Sequence, residues 1–343
     1  VTGVRMGIVG ATGLVGTEML RILAERAFPV GELRVFASPR SQGRHLAFGG
    51  REVVCEVLTE GCFDGLELVM IDVDDPIAAE WAPRAAAAGA VVIDNSAAFR
   101  TDPDVPLVIA EVNPEDLVDL PRGIAACPNC TTMVLLTALA PLHRAAGIER
   151  MVVSTYQSVS GAGQAGIEEL AEQWVKREGT LEQLRRAGTT EGVIEAGAVW
   201  PKPIAGNVIP LAGSLREAGY TSEEWKLVRE THKILHDDRI AVAATCVRVP
   251  VFVGHSMAAN VRFREPIGAE EAGRLLADAP GVRLADDGAP TPLESAGIDP
   301  VLVGRLREDP SQDRTLDLWV TGDNLRKGAA LNAVQMAEVL LAR

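Results

Sequence analysis

Positive charge, aromatic side chains, histidine and cysteine are all scarce in this chain, and no apolar run is long. Lys and Arg number 33 against 47 Asp and Glu, a formal net charge of −14. That surplus repels polyanions and argues against nucleic acid or an anionic membrane surface as partner. No apolar run approaches the roughly 20 residues needed to cross a bilayer. Five cysteines in 343 residues, an odd number, do not make a disulfide framework. Metal-ligand spacing is missing as well. Cys55, Cys62 and Cys246 are scattered, and no second Cys-x-x-Cys or nearby His-x-x-x-His accompanies Cys127 and Cys130, so no metal is expected. No secretory leader is visible, which makes the cytoplasm the expected compartment. Aromatics are only 4% of the residues, and the 47% apolar content reflects abundant alanine in helices. There is no internal repeat or low-complexity tract. The length suits two domains of ordinary size.

The most informative segment present is CPNCTT, with Cys130 at its centre. It stands directly before a long apolar helical run, MVLLTALAPLHRAAG, so Cys130 is expected at or just inside a helix N-terminus. Exposed backbone N–H groups and the helix dipole favour an anion there, and a thiol so placed becomes a nucleophile more readily. Pro128 stiffens the entry, and Asn129 and Thr131 supply capping groups beside the sulfur. A buried structural cysteine is the plainer alternative on this segment alone. The Cys127-x-x-Cys130 spacing also leaves a redox pair open.

The chain opens with a strand, VRMGIVG, then a glycine-rich turn reading GATGLVG, then a helix. This is a relaxed dinucleotide-binding fingerprint in the strand–turn–helix context that gives it meaning. Without Cβ atoms the turn lets backbone approach a pyrophosphate, and the helix N-terminus meets its charge. The next strand, ELRVFAS, ends in SPRSQGR rather than in an acidic residue. Ser38, Arg40, Ser41 and Arg44 there suit a ribose 2′-phosphate, which favours NADP over NAD. Strands are expected at LELVMID, AVVIDNS and PLVIAEV, with an alanine-rich helix around Ala78 to Ala88. The alternation predicts a Rossmann-type, parallel, doubly wound sheet up to about Ala126.

Beyond Cys130 the pattern changes to α+β. RMVVSTYQSVSG, RIAVAATCVRVPV and HSMAANVRFRE alternate like an antiparallel sheet covered on one face. Helices are expected at IEELAEQWVKRE, SEEWKLVRETHKIL and AEEAGRLLADA. DLWVTGDN reads as a strand, and NLRKGAALNAVQMAEVLLAR as one amphipathic helix.

With these residues in view, the sequence resembles the aspartate-semialdehyde dehydrogenase family. The likeness rests on GATGLVG, FASPRSQGR, VIDNSAAFR, PNCTT, STYQSVSGAG, NVIP, EEWKLVRETHKIL, TCVRVPVFVGHS and GDNLRKGAALNAVQ, in family order along nearly the whole chain. The resemblance implies an α/β fold with an NADP-binding domain at residues 1–129, on which a C-terminal helix at 324–343 packs back. A catalytic and dimerisation domain would fill 130–323, and the enzyme would be a homodimer. Its reaction would be the NADP-dependent reductive dephosphorylation of L-aspartyl-4-phosphate to L-aspartate-4-semialdehyde. That step serves lysine (through diaminopimelate), threonine, methionine and isoleucine synthesis.

By the same resemblance Cys130 is the nucleophile that forms a thioester, and His255 is the general acid/base. A histidine near its ordinary pKa can exchange protons at neutral pH. Gln157 would position the substrate. Arg248 would pair with the α-carboxylate, and Glu223 would face the amino group. Arg100 and Lys226 would hold phosphate, and Asn129 would orient phosphate and thiolate. By spacing alone, Glu223 and Lys226 are an ordinary helix-surface pair. The cofactor would be bound by Gly10, Thr12, Gly13, Leu14, Val15, Ser38, Arg40, Ser41, Ser160, Gly161 and Asn324. Three departures from the family pattern stand out. Asp72, Val73, Asp74 and Asp75 replace small residues, Cys127 replaces Asn, and Gly206 replaces Phe. Two rivals are a related acyl-phosphate reductase of the N-acetyl-glutamyl-phosphate type and a non-catalytic nucleotide-binding paralogue.

Overall fold

The computed structural model describes residues 3–177, 186 and 195–342. The chain forms two compact units, the first made of Val1–Ala140, Arg229–Arg239 and Leu325–Arg343, the second of Pro141–Val228 and Ile240–Asn324. Relative to the division expected at 129/130, the first unit keeps the start of the helix after Cys130 and also takes in residues 229–239.

The first unit opens with β1 (Val4–Val9), α1 (Leu14–Glu25) and β2 (Val30–Phe36). A hairpin follows, β3 (His45–Phe48) and β4 (Arg51–Glu56), then β5 (Leu68–Ile71), α2 (Asp75–Ala87), β6 (Val91–Asp94) and β7 (Ile124–Ala126). The order across the sheet is β3-β4-β2-β1-β5-β6-β7. All neighbours are parallel except the β3–β4 pair. Leu68, Val69, Met70 and Ile71 are all buried, as expected of a strand covered on both faces.

Two sequence expectations fail in this unit. The hairpin was not foreseen, although Gly49 (φ 54°) and Gly50 (φ 80°) form the two-residue turn between Phe48 and Arg51. PLVIAEV, in turn, is no strand and makes only a single bridge, Leu107 to Ala126. Side chains take the amides a ladder would have used. Ile109 N–H donates to Asn113 Oδ1 (3.0 Å) and Ala110 N–H to Asn332 Oδ1 (3.0 Å).

The helix α3 (Cys130–Ala146) leads into the second unit. Its strands are β8 (Ile148–Gln157), β9 (Ala241–Arg248), β10 (His255–Phe263), β11 (Val282–Leu284), β12 (Val301–Glu308) and β13 (Thr315–Gly322). Its helices are α4 (Gly163–Arg177), α5 (Ser222–Leu235, whose second half belongs to the first unit), α6 (Ala269–Ala277) and α7 (Pro292–Ser295). The sheet order is β11-β12-β13-β10-β8-β9. Its centre is antiparallel as expected, but β8–β9 and β11–β12 are parallel. The chain between Gln157 and Ala241 is long enough for the crossover that a parallel β8–β9 pair requires. One face of the sheet is buried. The other carries half-buried Val152, Tyr156, Ala258 and Trp319, with the Tyr156 and Trp319 rings 5.2 Å apart.

The chain ends in the first unit with a π-helical turn (Arg326–Ala330) and α8 (Leu331–Leu341). This is not the single amphipathic helix the sequence suggests. Leu331, Asn332, Ala333, Val334, Met336 and Ala337 are all buried, so the start of α8 is enclosed nearly all round. It shares a core with Met19, Leu23 and Ile93. Lys327, fully buried, is paired with Glu111 and donates to Gln335 Oε1 (3.0 Å).

Candidate active site

In the first unit, Cys130 is the first residue of α3. Asn129 is the cap, because its carbonyl accepts the Met133 N–H (2.9 Å), the first bond of the helix. Its Oδ1 accepts both the N–H (3.1 Å) and the hydroxyl (2.6 Å) of Thr131 and lies 3.9 Å from Cys130 Sγ. The capping read from PNCTT is therefore present. Arg100 is close to the same turn through a residue that sequence reasoning missed. Glu230 Oε2 accepts the Asn129 N–H (2.7 Å), while its Oε1 is 3.2 Å from Arg100 Nη1. Arg100 Nη2 also donates to the Asn95 carbonyl (2.7 Å).

Cys127 has a different environment. It is fully buried, with Sγ 3.5 Å from Met336 Sδ and 3.7 Å from Asn332 Nδ2. Burial pushes its thiol up to about 12. A disulfide with Cys130 would have to draw this sulfur out of the α8 core, which argues against the redox pair.

The residues expected to bind nucleotide in this unit lie at the C-terminal ends of adjacent parallel strands. Gly10 has φ 89°, and a Cβ there would stand 2.0 Å from the Asp72 carbonyl oxygen. A Cβ on Gly16 would meet the Gly10 carbonyl at 2.3 Å, so both positions demand glycine. Gly13 caps α1 with no side-chain bond, and the first turn, beginning Leu14 and Val15, holds no acid. Thr12 precedes it, half-buried. That uncapped N-terminus suits a pyrophosphate. After β2, a 3₁₀ turn (Pro39–Ser41) displays exposed Ser38 and Arg40, with Ser41 half-buried.

The acidic departure sits beside the glycine turn, since the Asp72 backbone abuts Gly10. Asp72 accepts a weak bond from Asn95 Nδ2 (3.4 Å), and burial, reinforced by Asp94, raises its carboxyl to about 6. Asp75 Oδ1 accepts the Ala97 N–H (2.8 Å), and Asp74 is exposed.

In the second unit the structure gathers Gln157, Glu223, Lys226, Arg248, His255, Ser160, Gly161 and Asn324. Gln157 closes β8, accepts the Thr155 hydroxyl (3.1 Å) and donates to Glu223 Oε2 (3.4 Å). Glu223 Oε1 holds Lys226 Nζ at 2.7 Å, with the Glu223 side chain largely buried and Lys226 a third exposed. Arg248 ends β9, donates Nη1 to the Ser158 carbonyl (2.6 Å) and stacks over Trp200 (5.0 Å). A Cβ on Gly161 would stand 3.0 Å from Arg248 Nη1 and 3.5 Å from His255 Nε2. Glycine keeps that space open.

His255 begins β10, fully buried. Its Nδ1 accepts the Ser158 N–H (3.0 Å), which leaves the ring proton on Nε2. Burial, then the Arg248 guanidinium, lowers its pKa to about 3. This corrects the expectation of a ring near its ordinary value. At neutral pH the free protein holds a neutral Nε2–H donor. Ser158, unforeseen from the sequence, fixes that tautomer, and its hydroxyl lies 2.9 Å from Asn324 Oδ1. Asn324 Nδ2 donates to Ser160 Oγ (2.9 Å), and Asn324 Oδ1 accepts the Gly254 N–H (2.9 Å). Gly206 takes φ 60°, a backbone conformation in which a Phe would be strained.

Among the described residues no group of three or more His, Cys, Asp or Glu is arranged to hold a metal, and no helix is long and apolar enough to cross a membrane.

A Rossmann-type unit with a cysteine at the first position of a helix, beside a separate α+β unit, is the architecture of a nucleotide-dependent oxidoreductase. Comparison with known proteins agrees. The model described as "Semialdehyde dehydrogenase, NAD binding domain" matches residues 5–120, and "Semialdehyde dehydrogenase, dimerisation domain" matches residues 139–327. The aspartate-semialdehyde dehydrogenase of Streptomyces akiyoshiensis is 52% identical over 340 residues, 98% of each chain. That of Aquifex aeolicus is 46% identical over 99% of this chain and 98% of its own. Aspartate semialdehyde dehydrogenase II of Vibrio cholerae, solved in complex with ASA, superposes with a TM-score of 0.93 at 44% identity, covering 100% of this chain and 99% of that one. The chain belongs to the aspartate-semialdehyde dehydrogenase family.

Proposed function

We propose that this chain reduces L-aspartyl-4-phosphate to L-aspartate-4-semialdehyde with NADPH, as a cytoplasmic homodimer. The observation that carries the reading is Cys130 at the first position of a capped helix, linked by one carboxylate to Arg100. Cys130 Sγ attacks the acyl carbon, the carbon–oxygen bond to phosphate breaks, and a thioester remains on the enzyme. Arg100 and Lys226 hold the phosphate, and Asn129 orients it against the sulfur. A nicotinamide, when bound, would supply the hydride that reduces the acyl carbon. His255 offers its Nε2–H to the oxygen that gains negative charge, and Gln157 holds the acyl group. The carbonyl then re-forms as the carbon–sulfur bond breaks, which returns the thiolate and frees the aldehyde. Arg248 takes the α-carboxylate as a guanidinium fork, and Glu223 takes the amino group.

The glycine turn and the uncapped α1 support dinucleotide binding, and exposed Ser38 and Arg40 with Ser41 support the 2′-phosphate of NADP. Ser160, Gly161 and Asn324 form the nicotinamide side of this reading. The half-open face of the second sheet, with Tyr156 and Trp319, is the surface that a second copy would cover. The test is phosphate-dependent reduction of NADP by aspartate semialdehyde. Wild type should turn over, whereas Cys130→Ser should fold and lose nearly all activity, since an alcohol is a far poorer nucleophile. Turnover by that variant would remove Cys130 from the mechanism.

A further inference from the structure

The helix α5 carries Glu-x-x-Lys twice, seven residues apart: Glu223 with Lys226, then Glu230 with Lys233. Only the first pair belongs to the proposed substrate contacts. The second pair lies in the first unit and grips Arg100 at both ends. Glu230 receives the guanidinium at 3.2 Å. Lys233 Nζ donates to the carbonyls of Arg100 itself (3.0 Å), Asp102 (2.7 Å) and Val105 (2.7 Å). Glu230 is buried, and its second oxygen takes the Asn129 N–H at 2.7 Å. One carboxylate therefore fixes both the residue before the nucleophile and the expected phosphate ligand.

We infer that Glu230 and Lys233 are positioning residues that set Arg100 against the Asn129–Cys130 turn and so tune the enzyme for the phosphate group. This rests on the proposed roles of Cys130 and Arg100. Two donors, the Asn129 amide and the Arg100 guanidinium, converge on the Glu230 carboxylate, and a carboxylate accepts both. A glutamine of the same shape has one acceptor oxygen, so its NH₂ faces one of the two donors. A side chain that merely filled space would tolerate that exchange.

The experiment compares wild type with Glu230→Gln, Lys233→Met and Arg100→Ala in the phosphorylating direction, with inorganic phosphate, aspartate semialdehyde and NADP varied separately. Folding of each variant is checked by circular dichroism. Glu230→Gln should raise the phosphate KM by about tenfold or more, the scale of a lost charge-assisted bond, with the semialdehyde and NADP KM values within about twofold of wild type. Lys233→Met should give the same selective rise. A folded Glu230→Gln enzyme with an unchanged phosphate KM overturns the proposal, whatever Lys233→Met does. If Arg100→Ala also leaves the phosphate KM unchanged, the underlying role of Arg100 falls instead. A rise for Arg100→Ala without one for Glu230→Gln removes only the positioning role.

Discussion

Each compact unit carries an ionisable side chain with a displaced pKa beside the residues proposed for its part of the chemistry, and the two shift in opposite directions. In the first unit Asp72 stands next to the glycine turn, its carboxyl raised to about 6. In the second, His255 is lowered to about 3. The leading cause is the same, since burial disfavours the charged form of either group. The functional results differ. His255 is locked as a neutral donor across the physiological range, whereas Asp72 changes charge within reach of it. The second unit is thus insulated from pH at the ring proposed as acid/base, and the first is exposed to pH at the turn proposed to meet a dinucleotide's phosphates.

The largest effect should come from breaking the His255 side of this contrast. His255→Ala should bind cofactor normally and lower kcat by roughly 10²-fold or more, the usual scale for a positioned acid/base. In wild type, the profile of kcat/KM for the free enzyme should show no limb attributable to His255 near its ordinary pKa of 6.5. A limb there that vanishes in His255→Gln would show that the ring titrates at its ordinary value.

The next effect sharpens the nucleotide side. Arg40→Ala should raise the NADP KM by about tenfold, as expected for one lost charge-assisted contact, and leave NAD nearly unchanged. Equal weakening of both cofactors would show that Arg40 does not read the 2′-phosphate.

Stability against pH tests the contrast directly. Asp72 has a raised folded pKa, so its contribution is fully present below 3.8 and is lost as pH rises through about 6. His255 has a depressed folded pKa, so its contribution is present above 6.5 and is lost as pH falls through about 3. Across the shared window the two slopes oppose each other. Asp72→Asn removes one of them, and stability should then rise more steeply between pH 4 and 6. The variant should gain about 1–3 kcal/mol over wild type at pH 7.5, the free-energy equivalent of one to two pKa units, and none below pH 4. Denaturant melts at several pH values measure this, and a gain independent of pH would dissociate it from ionisation. The same variant should tighten NADP at pH 7.5, because a negative charge is removed from the residue whose backbone abuts Gly10.

Much of this arrangement was legible in the sequence, where local signals suffice. The start of α3 followed from Pro-Asn-Cys ahead of an apolar run, and α5 matched its segment end to end. The glycine turn and the parallel order of the first sheet followed from strand–turn–helix alternation. What stayed hidden depends on partners far along the chain. Glu230 meets Arg100 across 130 positions, and no spacing rule reports that. PLVIAEV has the composition of a strand, yet Asn113 and Asn332 take its amides. The pKa of His255 could not be read either, because it follows from burial and from Arg248, a neighbour brought in by strand pairing. Ser158 was within the recognised STYQSVSG segment, but only the β8–β10 pairing aims its amide at the ring.

The smallest effect concerns the two cysteines at the junction of β7 and α3. Two residues separate a thiol in the core from one at a helix start, and the redox reading of Cys127-x-x-Cys130 requires them to meet. Cys127 is held by Met336 and Asn332 with its thiol raised to about 12, so at neutral pH it supplies almost no thiolate to resolve an oxidised Cys130. After mild peroxide and then dithiothreitol, Cys127→Ala should therefore recover the same fraction of activity as wild type. Its stability should fall by only about 1 kcal/mol, the cost of a small cavity beside α8. A recovery clearly below that of wild type, together with a Cys127–Cys130 peptide in mass spectrometry, would mean that α8 releases Cys127 under oxidation and that the pair is a redox device after all.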